Sequence, residues 1–226
     1  MVFLWVFLYG LAYTLSTIIA QFLNMEYVII PMTMLLYTAA CIHSIFKNGW
    51  HNEIRLRGIS YEGLKENAFF LPLAALPIYN LLSLQQFEFR LSTAILMLSV
   101  SVCEELFFRG FLLRWLERKS VLFAVVASST LFSILHCVNM KSMEPLYVGM
   151  QMLCAFSAGV CYCFVTIRGS SLLPPMVIHF LTNITASIET SSPVVKESVP
   201  GLWVCICIYL GYGTLLNRKI NKLGGS

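Results

Sequence analysis

The sequence Val102-Cys103-Glu104-Glu105-Leu106-Phe107-Phe108-Arg109-Gly110 places two glutamates and an arginine inside an otherwise apolar run. The run extends over residues 91–115, which is long enough for a helix that crosses a bilayer. A charged side chain at bilayer depth costs several kcal/mol unless it is paired or hydrated, so such residues usually serve a function. We therefore expect Glu104, Glu105 and Arg109 to belong to a functional site.

The composition is that of an integral membrane protein. Of the 226 residues, 58% are hydrophobic and 12% are charged, and the mean hydropathy is +0.77, whereas soluble domains contain about 25% charged residues. All 11 acidic residues are Glu, so the sequence excludes chemistry that uses paired aspartates, including that class of intramembrane proteolysis. The net charge of +4 is spread over the loops, which indicates membrane topology rather than nucleic-acid binding.

Eight apolar segments predict membrane-spanning helices, each of which needs about 20 residues. The predicted spans are 2–23, 27–46, 68–84, 91–115, 121–139, 146–167, 171–190 and 200–216. The first is too long for a secretory signal peptide and lacks its basic start, so we interpret it as a span. The third is broken by Pro72 and Pro77, which membrane helices tolerate. The sequence thus predicts an all-α membrane protein, a polytopic bundle of about eight transmembrane helices in one integral membrane domain, residues 1–226.

The basic residues are distributed unevenly over the loops that these spans define. Eleven lie on one side: Lys47, Arg55, Arg57, Lys65, Arg114, Arg118, Lys119, Arg168, Arg218, Lys219 and Lys222. Three lie on the other side: Arg90, Lys141 and Lys196. Because cytoplasmic loops are enriched in Lys and Arg, we predict that the first set and both termini are cytoplasmic. The longest polar stretch, residues 47–67, falls on this side, and residues 60–66 are predicted to form a short helix at the membrane surface.

Helical geometry separates the three charged residues of the central run. Residues four apart share a helix face, whereas adjacent residues diverge by about 100°. Glu105 and Arg109 therefore face the same way, with Glu before Arg, and should form a neutral pair. Glu104 has no partner on its own helix, and an unpaired carboxylate in apolar surroundings suits proton exchange near neutrality. A clamp between helices would need one carboxylate for one arginine, so we predict a structural role for Glu105 and a chemical role for Glu104.

Two further spans each contain a histidine that lies four residues from an aromatic or a polar side chain. Phe132 and His136 share a face near the end of the fifth span, and His179 and Asn183 share one in the seventh. Each pair also has a simpler interpretation, because buried histidines often serve packing and polar side chains often join membrane helices. If helix packing brings the two histidines and Asn183 close to Glu104, the four side chains can activate a water and stabilise an oxyanion. Alternatively, Glu104, His136 and His179 can bind a divalent metal such as zinc. The sequence does not distinguish metal-free water activation from metal binding.

Together, these residues resemble a known family of intramembrane proteases. The motifs E-E-x-x-x-R, F-x-x-x-H and H-x-x-x-N occur in order and begin at Glu104, Phe132 and His179. This set is similar to that of the CAAX protease and bacteriocin-processing (CPBP) family, also called the Abi family, which includes type II CAAX prenyl endopeptidases. The second and third motifs are weak alone, but all three in order on membrane spans are a specific signal. The resemblance covers about residues 90–190, the motif-bearing core.

The resemblance implies a helical bundle around an intramembrane catalytic cavity that opens to the cytoplasm. In such proteins, the first glutamate and the histidine of the second motif activate the attacking water, which implies these roles for Glu104 and His136. The residues of the third motif stabilise the oxyanion, which implies that role for His179 and Asn183. The other motif residues support the site: Glu105, Arg109 and Phe132. The resemblance fixes no cofactor, and whether a metal is used stays open.

The predicted activity is that of an intramembrane endopeptidase that hydrolyses a peptide bond in a small or membrane-associated peptide or protein. The short loops favour the cytoplasmic membrane of a bacterium, where relatives serve bacteriocin self-immunity or the maturation of peptide signals. The alternative is a non-catalytic membrane immunity or regulatory protein that binds a peptide, a toxin or a kinase.

Other membrane proteins fit the sequence less well. A proton-coupled transporter would also use buried Glu and His, but the motifs occupy one half of the chain and we find no internal repeat. The absence of H-E-x-x-H disfavours a site-2-type metalloprotease. The absence of a G-x-S-x-G-like motif on a span disfavours a rhomboid-type serine protease.

Overall fold

A computed structural model describes residues 2–56, 73–74, 77–78, 90–141, 143–189 and 198–224. All regular secondary structure in these ranges is helical. The helices are α1 (Val2–Leu23), α2 (Glu26–Lys47), α3 (Leu91–Glu105), α4 (Leu113–Leu116), α5 (Val121–Ile134), α6 (Pro145–Gly169), α7 (Leu173–Glu189) and α8 (Ser198–Gly224). A π-helical segment, Leu106–Leu112, joins α3 to α4, and a 3-10 segment, Leu135–Lys141, continues α5.

The helices follow the apolar segments of the sequence, because within a bilayer a spanning segment must satisfy its backbone hydrogen bonds internally. Four helical stretches are long and apolar enough to cross a membrane: Glu26–Lys47, Leu91–Leu116, Val121–Met140 and Pro145–Gly169. Two shorter apolar stretches lie in α1 and α8: Leu8–Leu23 and Trp203–Asn217. The prediction of an all-α fold is confirmed for the described residues, and the length and composition of these helices agree with an integral membrane protein.

The number of spans is not established by these helices. The predicted third span, 68–84, lies outside the described residues except at 73–74 and 77–78. The predicted surface helix at 60–66 lies outside them as well. The count of eight spans therefore stays a prediction.

The π-helical segment lies in the interior of the bundle, and all seven of its residues are buried. It contacts α1, α5 and α6, while α3 packs against α2 and α7. Helix α6 packs against α5, α7 and α8. This packing brings α1, α5, α6 and α7 next to the part of the chain that contains Glu104, Glu105 and Arg109.

Helices α5 and α6 approach each other closely where both carry small residues. A Cβ atom placed on Gly159 of α6 would lie 3.0 Å from the Cβ and 3.2 Å from the Cα of Ser129 on α5. Ser129 and its neighbour Ser128 are fully buried. Small residues let helix backbones pack closely in membranes, where lipid offers no hydrophobic drive for helices to associate. The contact at Gly159 therefore fixes the distance between α5 and α6.

Gly159→Val is expected to destabilise the protein by about 1–3 kcal/mol, because the added side chain meets the backbone of Ser129 and overpacks the interface. Gly149→Val is the matched control, since Gly149 lies on the same helix and a Cβ there meets nothing within 4 Å. The melting temperatures of both variants in the same detergent test this expectation. Equal melting temperatures would contradict the close approach of α5 and α6.

Three connections of the bundle meet at one end. Both guanidinium nitrogens Nη1 and Nη2 of Arg55 donate to Glu117, each at 3.1 Å, which joins the segment after α2 to the segment after α4. The backbone N–H of Leu172, between α6 and α7, donates to the carbonyl of Arg55 at 3.0 Å. The sequence prediction placed these three loops on the same side of the membrane, and these contacts agree with it.

Candidate active site

Glu104 and Glu105 lie where the helix changes from α-helical to π-helical geometry. Helix α3 ends at Glu105, and the π-helical turns begin at the next residue. Ser128 of α5 donates a hydrogen bond from Oγ to the carbonyl of Phe108 at 3.0 Å, which satisfies a backbone group within these turns. Short π-helical segments are rare and often lie at functional sites. The sequence prediction assumed a continuous α-helix and missed this segment.

Glu105 and Arg109 form the predicted ion pair. The Nη1 atom of Arg109 lies 2.8 Å from Oε1 of Glu105, and both side chains are 0% exposed. The guanidinium carbon also lies 4.3 Å from the ring centroid of Phe132 and 5.5 Å from that of Tyr162. Aromatic ring faces attract cations, so these rings and the carboxylate together stabilise an arginine that has no access to solvent.

His179 lies between the two carboxylates. Its Nδ1 is 2.8 Å from Oε1 of Glu105, and its Nε2 is 3.6 Å from Oε2 of Glu104. Because a carboxylate accepts hydrogen bonds, Nδ1 must carry a proton and donate it to Glu105. The sequence prediction gave Glu105 only Arg109 as a partner. Its second partner was missed, since helical spacing cannot show which side chains of another helix come within reach.

The charged group consists of Glu104, Glu105, Arg109 and His179. Glu104 and Glu105 carry two negative charges, and Arg109 balances one of them. A net charge buried among apolar groups is strongly unfavourable, and a proton on Nε2 of His179 would balance the second carboxylate across the 3.6 Å contact.

Phe132 connects this group to the second histidine. Its ring centroid is 5.5 Å from the ring of His136 and 5.5 Å from the ring of His179, in an edge-to-face arrangement with both. The Nδ1 atom of His136 lies 3.3 Å from the carbonyl oxygen of Phe132. Since that oxygen can only accept, Nδ1 donates, and a neutral His136 then has its lone pair on Nε2. The predicted shared face of Phe132 and His136 is confirmed.

Asn183 forms a hydrogen bond with a residue that belongs to none of the three motifs. Its Nδ2 donates to Oγ of Ser101 on α3 at 3.1 Å, and Ser101 is fully buried. This bond joins α7 to α3 about one turn of helix before Glu105. Ser101 was missed in the sequence because an isolated serine in an apolar helix gives no signal of its own.

The predicted catalytic side chains line a single cavity of about 300 Å³. Glu104, His136, His179 and Asn183 all line it. Its other walls are formed by these residues: Tyr13, Met97, Val100, Leu135, Val138, Asn139, Gln151, Ala186 and Ser187. The volume is at the lower end of the range for small-ligand pockets. The predicted supporting residues are not among those that line the cavity; they pack behind it.

The residues that would bind a metal under the alternative interpretation are not grouped as a metal site in this arrangement. Within the described part of the chain, no three His, Cys or Glu side chains are grouped as ligands of one metal ion. His179 already directs Nδ1 at Glu105 and Nε2 at Glu104. The set Glu104, His136 and His179 therefore does not fit a zinc ion as placed, and the chemistry proposed below uses no metal.

Comparison with known families adds to this geometry. Residues 86–185 match the family model described as Rce1-like, type II CAAX prenyl endopeptidase. This region is Rce1-like. A search of curated proteins and a search of solved structures gave no match.

The Rce1-like region coincides with the motif-bearing core that the sequence predicted at about residues 90–190. It contains every motif residue and therefore confirms the resemblance to the CAAX protease family. Helix α1 lies outside it, yet the hydroxyl of Tyr9 on α1 is 3.5 Å from Oε1 of Glu104. The family model thus covers the charged group and both histidines, while one contact of Glu104 comes from elsewhere in the chain.

Proposed function

We propose that the protein is an intramembrane endopeptidase of the CAAX type, in which Glu104 and His136 activate the attacking water. The observation that supports this most is that Glu104, His136, His179 and Asn183 line a single cavity. That cavity lies in the region that matches the prenyl endopeptidase family. The proposed substrate is a small or membrane-associated peptide or protein, and the family match makes a prenylated C-terminal CAAX peptide the first substrate to test.

In the proposed reaction, Glu104 acts as the general base. Its carboxylate removes a proton from a water molecule while the water oxygen attacks the carbonyl carbon of the substrate. The Nε2 lone pair of His136 accepts a hydrogen bond from the second O–H of that water and so orients it. Positioned general bases contribute about 10²–10⁴-fold to a rate, which is the effect that Glu104 has to supply.

The oxyanion that forms is stabilised by the third motif. One N–H of the Asn183 amide is bonded to Ser101, which leaves the second N–H for the oxyanion. Once Glu104 holds the proton of the water, Nε2–H of protonated His179 is free to donate to the oxyanion as well. The C–N bond then breaks, and the proton passes from Glu104 to the leaving amine nitrogen.

The supporting residues fix the orientation of His179. Glu105 accepts from Nδ1 of His179 and from Arg109 through the same oxygen, Oε1. Phe132 contacts the guanidinium and the ring of His179. A histidine whose second nitrogen is hydrogen-bonded to a carboxylate keeps one tautomer and one orientation, as catalysis requires.

We further propose that the whole chain, residues 1–226, forms one membrane domain in a bacterial cytoplasmic membrane. The end where Arg55, Glu117 and Leu172 meet would face the cytoplasm, together with both termini. The support is the charge distribution, with 11 basic residues on that side against 3 on the other. The cavity is lined by residues toward the other end of the bundle, such as Met97 and Asn139. This orientation therefore does not agree with the opening to the cytoplasm that the family resemblance implies. In a bacterial membrane, the natural substrate would be a bacteriocin-related or signal peptide, and a farnesylated peptide serves as a membrane-anchored reporter.

The experiment uses purified protein in liposomes and an internally quenched peptide that ends in a farnesylated CAAX sequence. We expect cleavage after the farnesylated cysteine, with a kcat/KM at least about tenfold above that for the same peptide without the farnesyl group. The reason is that each CH₂ group buried in the bilayer contributes about 0.8 kcal/mol to membrane binding, and about 1.4 kcal/mol is tenfold. Binding of the farnesylated peptide without cleavage would instead favour a non-catalytic peptide-binding protein.

A further inference from the structure

Tyr9 is a buried tyrosine whose hydroxyl faces the proposed general base. It lies on α1, is 2% exposed, and places its hydroxyl oxygen 3.5 Å from Oε1 of Glu104. The residues before and after this position on the helix include exposed apolar side chains, such as Leu8 and Leu11. Burial of a tyrosine hydroxyl usually requires a hydrogen-bond partner, and here the partner is Glu104.

Aromatic packing fixes the ring of Tyr9 from several directions. The ring stacks on Phe107 with a centroid distance of 4.5 Å and an interplanar angle of 16°. Tyr37 and Phe108 meet it edge-on, at 5.5 Å and 6.2 Å. A ring held on these sides has little freedom to swing its hydroxyl away. The position of that hydroxyl relative to Glu104 is therefore set by the packing of α1 and α2 on the π-helical segment.

The two oxygens of Glu104 have different neighbours. Oε1 faces the hydroxyl of Tyr9, and Oε2 faces Nε2 of His179 at 3.6 Å. The phenol can only donate to a carboxylate, so it stabilises the ionised form and fixes the plane of the group. Both distances are long for hydrogen bonds, and catalytic hydrogen bonds commonly shorten when substrate binds. Tyr13, one turn further along the same face of α1, lines the cavity.

We propose that Tyr9 is a positioning residue for Glu104: its hydroxyl holds Oε1, so that Oε2 is presented to the attacking water and to His179. The inference rests on the proposed function, because it assigns Tyr9 a role in orienting the general base. It adds to the site a residue of α1, outside the Rce1-like region at 86–185. Helix α1 is then required for catalysis and not only for packing.

The kinetic test compares Tyr9→Phe with Tyr37→Phe, using the farnesylated reporter in liposomes. Tyr9→Phe keeps the ring and its stacking but removes the donor, so kcat is expected to fall about tenfold while KM changes less than twofold. Tyr37→Phe removes a hydroxyl from a ring that packs against Tyr9 and should leave kcat within about twofold of the wild type. An unchanged kcat in Tyr9→Phe, with active wild type, overturns the proposal, as does an equal loss in both variants.

A second measurement does not depend on cleavage. A hydrophobic carbodiimide modifies carboxyl groups at bilayer depth, and mass spectrometry with Glu104→Gln as a blank gives the rate at Glu104. We expect Tyr9→Phe to be labelled at least about threefold faster than wild type, because Oε1 is no longer occupied by the phenol. If wild type cleaves no reporter, the proposed function fails, while faster labelling still supports the contact of Tyr9 with Glu104. Equal labelling of Tyr9→Phe and wild type overturns the contact itself.

Discussion

Glu104→Gln is expected to lower kcat for the farnesylated reporter by about 100- to 10,000-fold. The amide has the same shape as the carboxylate but cannot take a proton from water, and general bases contribute about 10²–10⁴-fold. The side chain is buried against His179 and Tyr9, so its amide can keep both neighbours. The melting temperature is therefore expected to stay within a few degrees of wild type.

The control for this variant is Glu144→Gln. Glu144 is an exposed carboxylate directly before α6, so its replacement makes the same chemical change away from the cavity and should leave kcat unchanged. Initial cleavage rates at saturating reporter, with melting temperatures measured in the same detergent, check both variants. A Glu104→Gln protein that cleaves at the wild-type rate would rule out Glu104 as the base.

Glu105→Ala is expected to be the most destabilising single change in the site. It leaves Arg109, which is 0% exposed, buried without its carboxylate, and breaking a buried ion pair in this way costs about 3–5 kcal/mol. The melting temperature should fall by on the order of 10 °C, since about 1 kcal/mol corresponds to about 2–4 °C in a chain of this size. Thermal unfolding in detergent measures the change. An unaltered melting temperature would contradict the ion pair.

The double variant Glu105→Ala/Arg109→Met separates stability from catalysis. Methionine is apolar, so the unpaired charge disappears and the aromatic rings of Phe132 and Tyr162 pack on a side chain of similar length. Replacing a buried ion pair by apolar groups is often neutral for stability, so most of the lost melting temperature should return. Activity should not return, because His179 still lacks the carboxylate that holds its Nδ1. Recovery of both would show that Glu105 acts through Arg109 alone.

Those parts of the site that depend on local helical geometry could be predicted from the sequence. The pairing of Glu105 with Arg109 follows from a separation of four residues, and so does the contact of Phe132 with His136. The helices themselves follow from runs of apolar residues, because a bilayer permits few other structures. Residue spacing on one helix is thus a sufficient basis for contacts within that helix.

Contacts between helices could not be predicted in the same way. His179 lies against Glu105 as well as Glu104, because α7 packs on α3 at a particular rotation that no spacing encodes. Ser101 and Tyr9 are single polar residues in apolar helices, and such residues are too common to mark a site. The π-helical turn after Glu105 has no sequence signature either. For these features, the three-dimensional packing carries the information.

The central claim is that water activated by Glu104 hydrolyses a peptide bond within this cavity. The most direct measurement incubates the farnesylated reporter with wild type or Glu104→Gln in H₂¹⁸O and analyses the products by mass spectrometry. We predict that wild type releases a truncated farnesylated peptide with one ¹⁸O atom in its new C-terminal carboxylate, and that Glu104→Gln leaves the reporter intact. Intact reporter with wild type, or equal labelled product from both proteins, would contradict the claim.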